Sequence, residues 1–402
     1  MFENVIGQSA SARIAADFSS GRLPRSMLFC GPEASAKGTA ALELARGLSC
    51  EEGSARWNCP CPSCAMHRAL SHPDLLVLGP RQFLAEIPAC RAVFLNDSEN
   101  PAARLLFIRS VRKLLLRFSP VIWEGDAKVS KLNGSLELVF ELLEALKPEE
   151  TPEKLEKLSG RIVDTCAELV HEGGLSAIPV AHIRRGAFWL RLAPNGKYKV
   201  MIIENAEKMN DAARNSLLKI LEEPPPNAAI ILCSARHKTL LRTILSRVRP
   251  YYFTRRSQED ENTVLSRIFR VNPPENTAPE QDSAIVHFLN SFLNASSETL
   301  YPAAAAFLAA LSGGTPDIAG AAALVIKAAA QFEVRSLFSV FVEGLYRALS
   351  ARLKGAPPDV AIERFAFVKK YAEEARTAVE VYNQAPALAL ERLAWEICRR
   401  MS

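Results

Sequence analysis

Apolar residues collect in three short runs, each followed by a stretch of helical character. Met27-Leu28-Phe29-Cys30 precedes Gly31-Pro32 and an Ala/Leu-rich segment from Gly38 to Leu48. Val200-Met201-Ile202-Ile203 follows the turn pair Asn195-Gly196 and leads into a segment carrying Leu217, Leu218 and Leu221. Ala229-Ile230-Ile231-Leu232-Cys233 is the third. Short apolar runs alternating with helices predict buried strands of a parallel sheet covered on both faces, an α/β arrangement. Glu222-Glu223-Pro224-Pro225-Pro226 ends the second helix, because proline lacks the amide and constrains the residue before it.

Between about residues 85 and 175 the pattern is helical throughout. Asn100-Pro101 is an N-cap and first-turn pair, and the helix after it is expected to place Leu105, Ile108, Leu115 and Phe118 broadly on one face. Thr151-Pro152 repeats the signal for a helix through Leu155, Leu158, Ile162 and Val163. The segment reads as a helical insertion that contributes little to the core of the sheet. Its helix at 104–117 carries Arg104, Arg109, Arg112, Lys113 and Arg117 with no acidic residue. A solvated basic face is the first reading, and contact with a DNA backbone or an acidic partner the second. From about residue 256 the chain is helical again, with breaks at Pro273-Pro274, Gly313-Gly314 and Pro357-Pro358.

A chain of 402 residues predicts two or three domains. Its 49% hydrophobic and 23% charged residues are those of a folded globular protein. The opening lacks the layout of a secretory signal, and no apolar stretch is long enough to span a bilayer, so a cytoplasmic protein without membrane contact is expected. A net charge of +5 permits nucleic-acid contact without requiring it. Cys30, Cys90, Cys166, Cys233 and Cys398 lie in mostly apolar settings and read as buried small hydrophobes. Cys50, Cys59, Cys61 and Cys64 are clustered, and four thiolates can close a tetrahedral structural zinc site. The lone Pro60 between Cys59 and Cys61 makes the usual knuckle turn difficult, so four reduced thiols stand as the alternative. The six histidines show no ligand spacing and read as structural.

Gly31 to Thr39 lies after a strand and opens a helix, where a phosphate-cradling loop of the form G-x-x-x-x-G-K-[ST] belongs. Gly31 and Lys37 fit that form. Ala36 replaces its second glycine, Gly38 its magnesium-binding hydroxyl residue, and Thr39 lies one residue further, roughly 100° around the helix. The second strand ends in Glu204-Asn205, where a P-loop ATPase has a magnesium-positioning Asp and then a Glu as base. An amide has no basic lone pair at neutral pH, so Asn205 cannot activate water. Hydrolysis lacks its residues at positions 38, 204 and 205 together.

The stretches Lys199 to Met209, Asn215 to Pro225 and Leu240 to Arg247 resemble the clamp-loader signature of the AAA+ delta-prime and gamma/tau subunits of bacterial DNA polymerase III. Val5-Ile6-Gly7-Gln8, the cysteine cluster and His72-Pro73-Asp74-Leu75 follow in the family's order, and Val379 to Ile397, with Tyr382 to Pro386, is similar to its helical collar. Residues 85–175 match nothing in the family. The resemblance implies an AAA+ domain over 1–255, with a zinc module near 50–64, then a helical lid over 256–315 and a collar over 316–402. It also implies a hetero-oligomeric ring with gamma/tau and delta subunits, a sliding clamp and primer-template DNA. The delta-prime type supplies an arginine to a neighbour's ATP, and that residue falls on Arg247 in Ser246-Arg247-Val248, where the family usually has Cys in place of Val248. The changed positions favour a chain without intrinsic ATPase activity and put its own ATP binding in doubt. An active gamma/tau-like ATPase and an unrelated P-loop phosphotransferase are the alternatives.

Overall fold

The computed structural model describes all residues except 176, 273–282, 293, 312–316, 330–333, 354–356, 381–383 and 402. Pro273-Pro274, Gly313-Gly314, Tyr382 and Asn383 therefore lie outside the described residues. The chain divides into two compact units, Met1–Asn290 and Ser291–Ser402.

The first unit is built on strands β1 (Ser26–Cys30), β2 (Leu75–Leu78), β3 (Lys199–Ile203), β4 (Ala228–Ser234) and β5 (Arg249–Tyr252). They form one sheet in the order β2-β3-β4-β1-β5, with every pairing parallel. The first, second and third apolar runs are β1, β3 and β4. Alternation along each strand divides the side chains between two cores. Leu28, Cys30, Leu76, Leu78, Met201, Ile203, Ile230 and Leu232 face one, and Met27, Phe29, Leu75, Val77, Val200, Ile202, Ala229 and Ile231 the other.

Helices α1 (Ser9–Ser19) and α2 (Lys37–Ser49) cover the second of these faces, and α3 (Pro62–Arg68) follows them in the chain. Over the first face lie α4 (Phe83–Asn96), α5 (Pro101–Leu115), α6 (Pro120–Trp123), α7 (Ala127–Ala145), α8 (Pro152–Gly173), α9 (Val180–Trp189), α10 (Asp211–Glu222) and α11 (Arg242–Leu245). Asn100 and Thr151 cap α5 and α8 by accepting from the Ala102 and Lys154 amides, as their Pro-containing starts predict. The unit closes with α12 (Gln258–Arg267) and α13 (Ala284–Ser291).

Two expectations about residues 85–175 are corrected. The segment does not stand apart from the sheet: Ile87, Cys90, Phe107, Val111, Leu114, Ile162 and Leu169 belong to the same buried cluster as Leu76, Leu78 and Ile203. The phase of α5 differs in part: Leu115 and Phe118 are buried as expected, but Phe107, Val111 and Leu114 complete the buried stripe while Leu105 and Ile108 are half-buried. The two stripes differ by a small rotation, and the amphipathic pattern of a helix packed on several neighbours leaves that rotation poorly marked.

The second unit is helical in its described residues: α14 (Asn294–Ala310), α15 (Ile318–Ala328), α16 (Val334–Arg352), α17 (Pro358–Glu380) and α18 (Pro386–Met401). Phe307, Phe338, Phe341, Leu345, Val368, Leu390 and Leu393 lie in its core. An α/β domain with a parallel five-stranded sheet, followed by helices, is the fold class that the apolar runs predict. No helix among the described residues is long and apolar enough to cross a membrane.

Candidate functional site

The loop between β1 and α2 turns its lysine back onto its own backbone. Ala36, the N-cap of α2, holds φ at +65°, a left-handed conformation that costs an L-residue about 1–2 kcal/mol and that glycine adopts freely. Lys37 Nζ donates to the carbonyl of Gly31 at 2.6 Å, to that of Pro32, and to Ser35 Oγ at 3.2 Å. Its charge is spent on its own loop. Arg256, beyond β5, donates to the carbonyls of Ala34 and Ile6. Gln8 exchanges two hydrogen bonds with the backbone of Thr254, which ties the Val5 to Gln8 motif to the same place. Thr39 is half-buried in the first turn of α2.

Facing this loop is the end of β3. The Glu204 amide donates to the Leu78 carbonyl at 2.9 Å, and the close approach of the two strand ends depends on Gly79. Gly79 has φ of +96°, and a Cβ there would stand 2.0 Å from the Glu204 carbonyl oxygen. Both carboxylate oxygens of Glu204 are occupied: Arg81 Nη1 donates to Oε1 at 2.7 Å, and Arg117 Nη2 donates to Oε2. Arg81 and Lys113 also hold Glu86, and Arg117 Nε caps the Gly79 carbonyl at 2.8 Å. Burial opposes ionisation of Glu204, but the two guanidiniums hold its carboxyl below the usual range. A Cβ at Gly38 would lie 2.2 Å from Glu204 Oε1 and 3.1 Å from Arg81 Nη1. Asn205, at φ of +49°, donates through Nδ2 to the Pro80 carbonyl at 2.9 Å.

The structure therefore brings Gly38, Glu204 and the Lys37 loop together and adds Arg81 and Arg117, which sequence reasoning missed as site residues. Arg117 stood in the basic run at 104–117, whose reading as a solvated face is corrected. Arg104 donates to Ser98, Arg109 to His67 and Arg68, Arg112 to Ala69, and Arg117 to Gly79, all at backbone carbonyls, while Lys113 pairs with Glu86. The run lacks acidic residues because its partners are carbonyls and distant carboxylates, Glu204 lying 87 positions from Arg117.

The sulfurs of Cys50, Cys59, Cys61 and Cys64 all lie within 4.8 Å of one another and are buried. Tetrahedral Zn–S bonds of about 2.3 Å place sulfurs ~3.8 Å apart, and Cys50 Sγ and Cys59 Sγ are 3.7 Å apart. The set fits a metal ion and is compatible with zinc; Pro60 does not keep the sulfurs from converging. Cys61 caps α3, accepting from the Cys64 amide. Buried Arg46 of α2 donates to Cys64 Sγ at 3.7 Å and to the Ala55 and Arg56 carbonyls, with Glu43 balancing its charge. At the other end of α3, Arg109 and Arg112 take the carbonyls of His67, Arg68 and Ala69. His72 bonds Ser63 Oγ and the Asp74 amide, and stacks on His67. Asp74, fully buried, accepts from the Asn195 and Gly196 amides and from Lys199, which fixes the turn before β3.

Arg247 stands apart from these clusters. Its Nε and Nη2 both donate to one oxygen of Glu222, at the end of α10, and Nη1 donates to the Thr243 carbonyl at 2.8 Å. Its side chain is 31% exposed, whereas Val248 beside it is buried in the core.

Comparison with known proteins gives the family. A family described as DNA polymerase III, delta subunit, matches residues 7–257. DNA polymerase III subunit delta' of Escherichia coli is 39% identical over 72 residues, 18% of this chain and 22% of that protein. Subunit gamma/tau of Mycobacterium bovis is 35% identical over 72 residues, 18% of this chain and 12% of that protein. The matched stretches thus span between 12 and 22% of those relatives' length. A solved structure of a DNA polymerase III gamma subunit-related protein from Thermotoga maritima aligns at 17% identity and a TM-score of 0.29, covering 56% of this chain and 81% of that one.

Proposed function

The chain belongs to the DNA polymerase III delta subunit family, and from that premise we propose that it is a non-hydrolysing subunit of the polymerase's clamp loader. The observation that carries this reading is the fit of Gly38 against Glu204. The carboxylate fills the space that a side chain at position 38 would need, so a magnesium-binding hydroxyl there would have to displace Glu204 from Arg81. Asn205 adds an amide where hydrolysis needs a base, and its Nδ2 is already bonded to Pro80.

In this reading the chain serves catalysis at a neighbour. Arg247 supplies a planar, permanently charged fork to the ATP of an adjacent gamma/tau-type subunit, where a guanidinium stabilises charge on the transferring phosphoryl group. Its partial exposure supports that role, in which its pair with Glu222 opens to let the guanidinium reach the neighbour. The four cysteines hold one structural zinc, with Arg46 directed at Cys64. Residues 256–315 serve as a lid and 316–402 as a collar that joins gamma/tau and delta subunits, in a ring that places a sliding clamp on primer-template DNA.

The test has two arms. The isolated chain shows no ATPase activity above background; turnover abolished by Lys37→Ala would replace this reading with that of an active gamma/tau-like ATPase. In a reconstituted complex, Arg247→Ala leaves assembly intact and lowers DNA- and clamp-stimulated turnover. A finger is worth on the order of 10³-fold at its own site, and the total falls only in part because other sites keep theirs. Unchanged turnover and loading remove the finger and leave a purely structural subunit. Metal analysis of protein made without chelators finds one zinc per chain.

A further inference from the structure

We propose that Arg81 and Arg117 are a built-in replacement for the divalent cation of a nucleotide site, so that the pocket between the Lys37 loop and β3 is permanently occupied by the chain's own charges. The inference rests on the non-hydrolysing reading and adds to it which residues close the site and from where they come.

Its basis is position. In a P-loop site, a hydroxyl on the first turn of the helix and a carboxylate at the end of the strand converge on one metal ion. Here the corresponding positions are Gly38 and Glu204, and Arg81 Nη1 stands at both, 3.1 Å from the Cβ position of Gly38 and 2.7 Å from Glu204 Oε1. Arg117 takes the other oxygen. Two fixed guanidiniums thus satisfy an acid that would otherwise need an external cation. The Lys37 ammonium, which would meet a phosphate, is bonded to Gly31, Pro32 and Ser35 instead. Anchorage comes from both sides: Arg81 is held by Glu86 from α4, and Arg117 by the Gly79 carbonyl. Arg117 follows directly on α5, whose Arg109 and Arg112 are fastened to the end of α3, so the plug is held by a helix secured at several points.

The experiment titrates the full chain with Mg-ATP, and with Mg²⁺ or Mn²⁺ alone, by calorimetry and thermal denaturation. The wild-type chain binds no Mg-ATP, and neither cation moves its Tm. In Arg81→Ala/Arg117→Ala the bare Glu204 takes up the cation. Mn²⁺ then raises the Tm and binds about tenfold tighter than to the same variant carrying Glu204→Gln. Mg-ATP binding by the wild type overturns the proposal; without turnover, it leaves the non-hydrolysing reading standing, whereas turnover overturns both. A folded double variant indifferent to Mn²⁺ also overturns it, showing that the arginines are ordinary ion pairs. Should the double variant not fold, Arg81→Ala alone carries the same cation titration: a Tm that rises with Mn²⁺ supports the proposal and one that does not overturns it.

Discussion

At the end of β3, both oxygens of Glu204 are taken by guanidiniums of the same chain. At the cysteine cluster, four buried sulfurs converge and one guanidinium, that of Arg46, reaches one of them. Both are sites where negative charge can gather away from water, and burying it uncompensated costs several kcal/mol per ion. The difference is where the cation comes from. Glu204 meets arginines whose positions are set by the fold before any ligand arrives. The cysteines converge at metal-bond spacing with too little internal charge to neutralise four thiolates. Resemblance to a cation site is therefore a poor guide by itself, and the count of internal cations says how much charge is left for an ion from outside to balance.

The sharpest way to break this comparison is to remove the element that touches both clusters. Deleting residues 85–175 takes Arg117 from Glu204 and Arg109 and Arg112 from the end of α3, and it strips much of the helical cover from one face of the sheet, leaving α9, α10 and α11. We expect no cooperative unfolding transition from the shortened chain; a soluble product with a native near-UV spectrum contradicts it. Arg117→Ala is the next largest change. Removing one member of a buried ion pair costs about 3–5 kcal/mol, and Arg81 still holds Oε1, so the loss lies near 3 kcal/mol in urea unfolding. Adding Glu204→Gln restores part of it, because the unbalanced charge is gone.

Each region also carries a buried histidine, which sharpens the comparison with acid. Burial, with the charges of His72, Arg46 and Arg109 beside it, pulls His67 down to about 3 against the pull of Asp74. His182, packed on Trp123, is held at about 4 by burial and Arg185 against Asp126. The unfolded chain protonates both near 6.5 while the folded chain does not, so it binds more protons as pH falls and stability is lost on acidification from about 6.5 downward. Each histidine contributes a slope of up to about 1.4 kcal/mol per pH unit in that window. His182→Phe should therefore flatten the dependence measured between pH 7 and pH 5; an unchanged slope removes His182 from the account. The smallest effect belongs to Ala36→Gly, which relieves the left-handed strain at the start of α2. It stabilises by at most ~1 kcal/mol, since glycine also gives the unfolded chain more freedom.

What could be read in advance follows from the range of the forces. The runs at Met27, Val200 and Ala229 announce β1, β3 and β4 because strands buried on both faces are continuously apolar. Edge strand β5, Arg249-Pro250-Tyr251-Tyr252, buries only Tyr251 and carries no such run. Gly38, Glu204 and Asn205 were legible as departures from a local pattern. Arg81 and Arg117 were not, because they meet Glu204 across 123 and 87 positions of chain, and their role exists only once the fold has brought them together. The inward use of the α5 cations escaped for the same reason: a basic run reads alike whether it faces solvent or the carbonyls at the end of another helix.

The contact between Gly38 and Glu204 also bears on reversibility. A side chain restored at position 38 meets the carboxylate, its Cβ only 2.2 Å from Oε1. An aspartate restored at 204 is shorter by one methylene and withdraws from both guanidiniums. Loss of either arginine leaves the acid short of charge. Each of these changes disturbs the same ion-pair cluster unless the others accompany it, whereas Ala36→Gly, outside the cluster, does not. Positions 38, 81, 117 and 204 are therefore coupled, so that the effect of changing one depends on which residues stand at the other three.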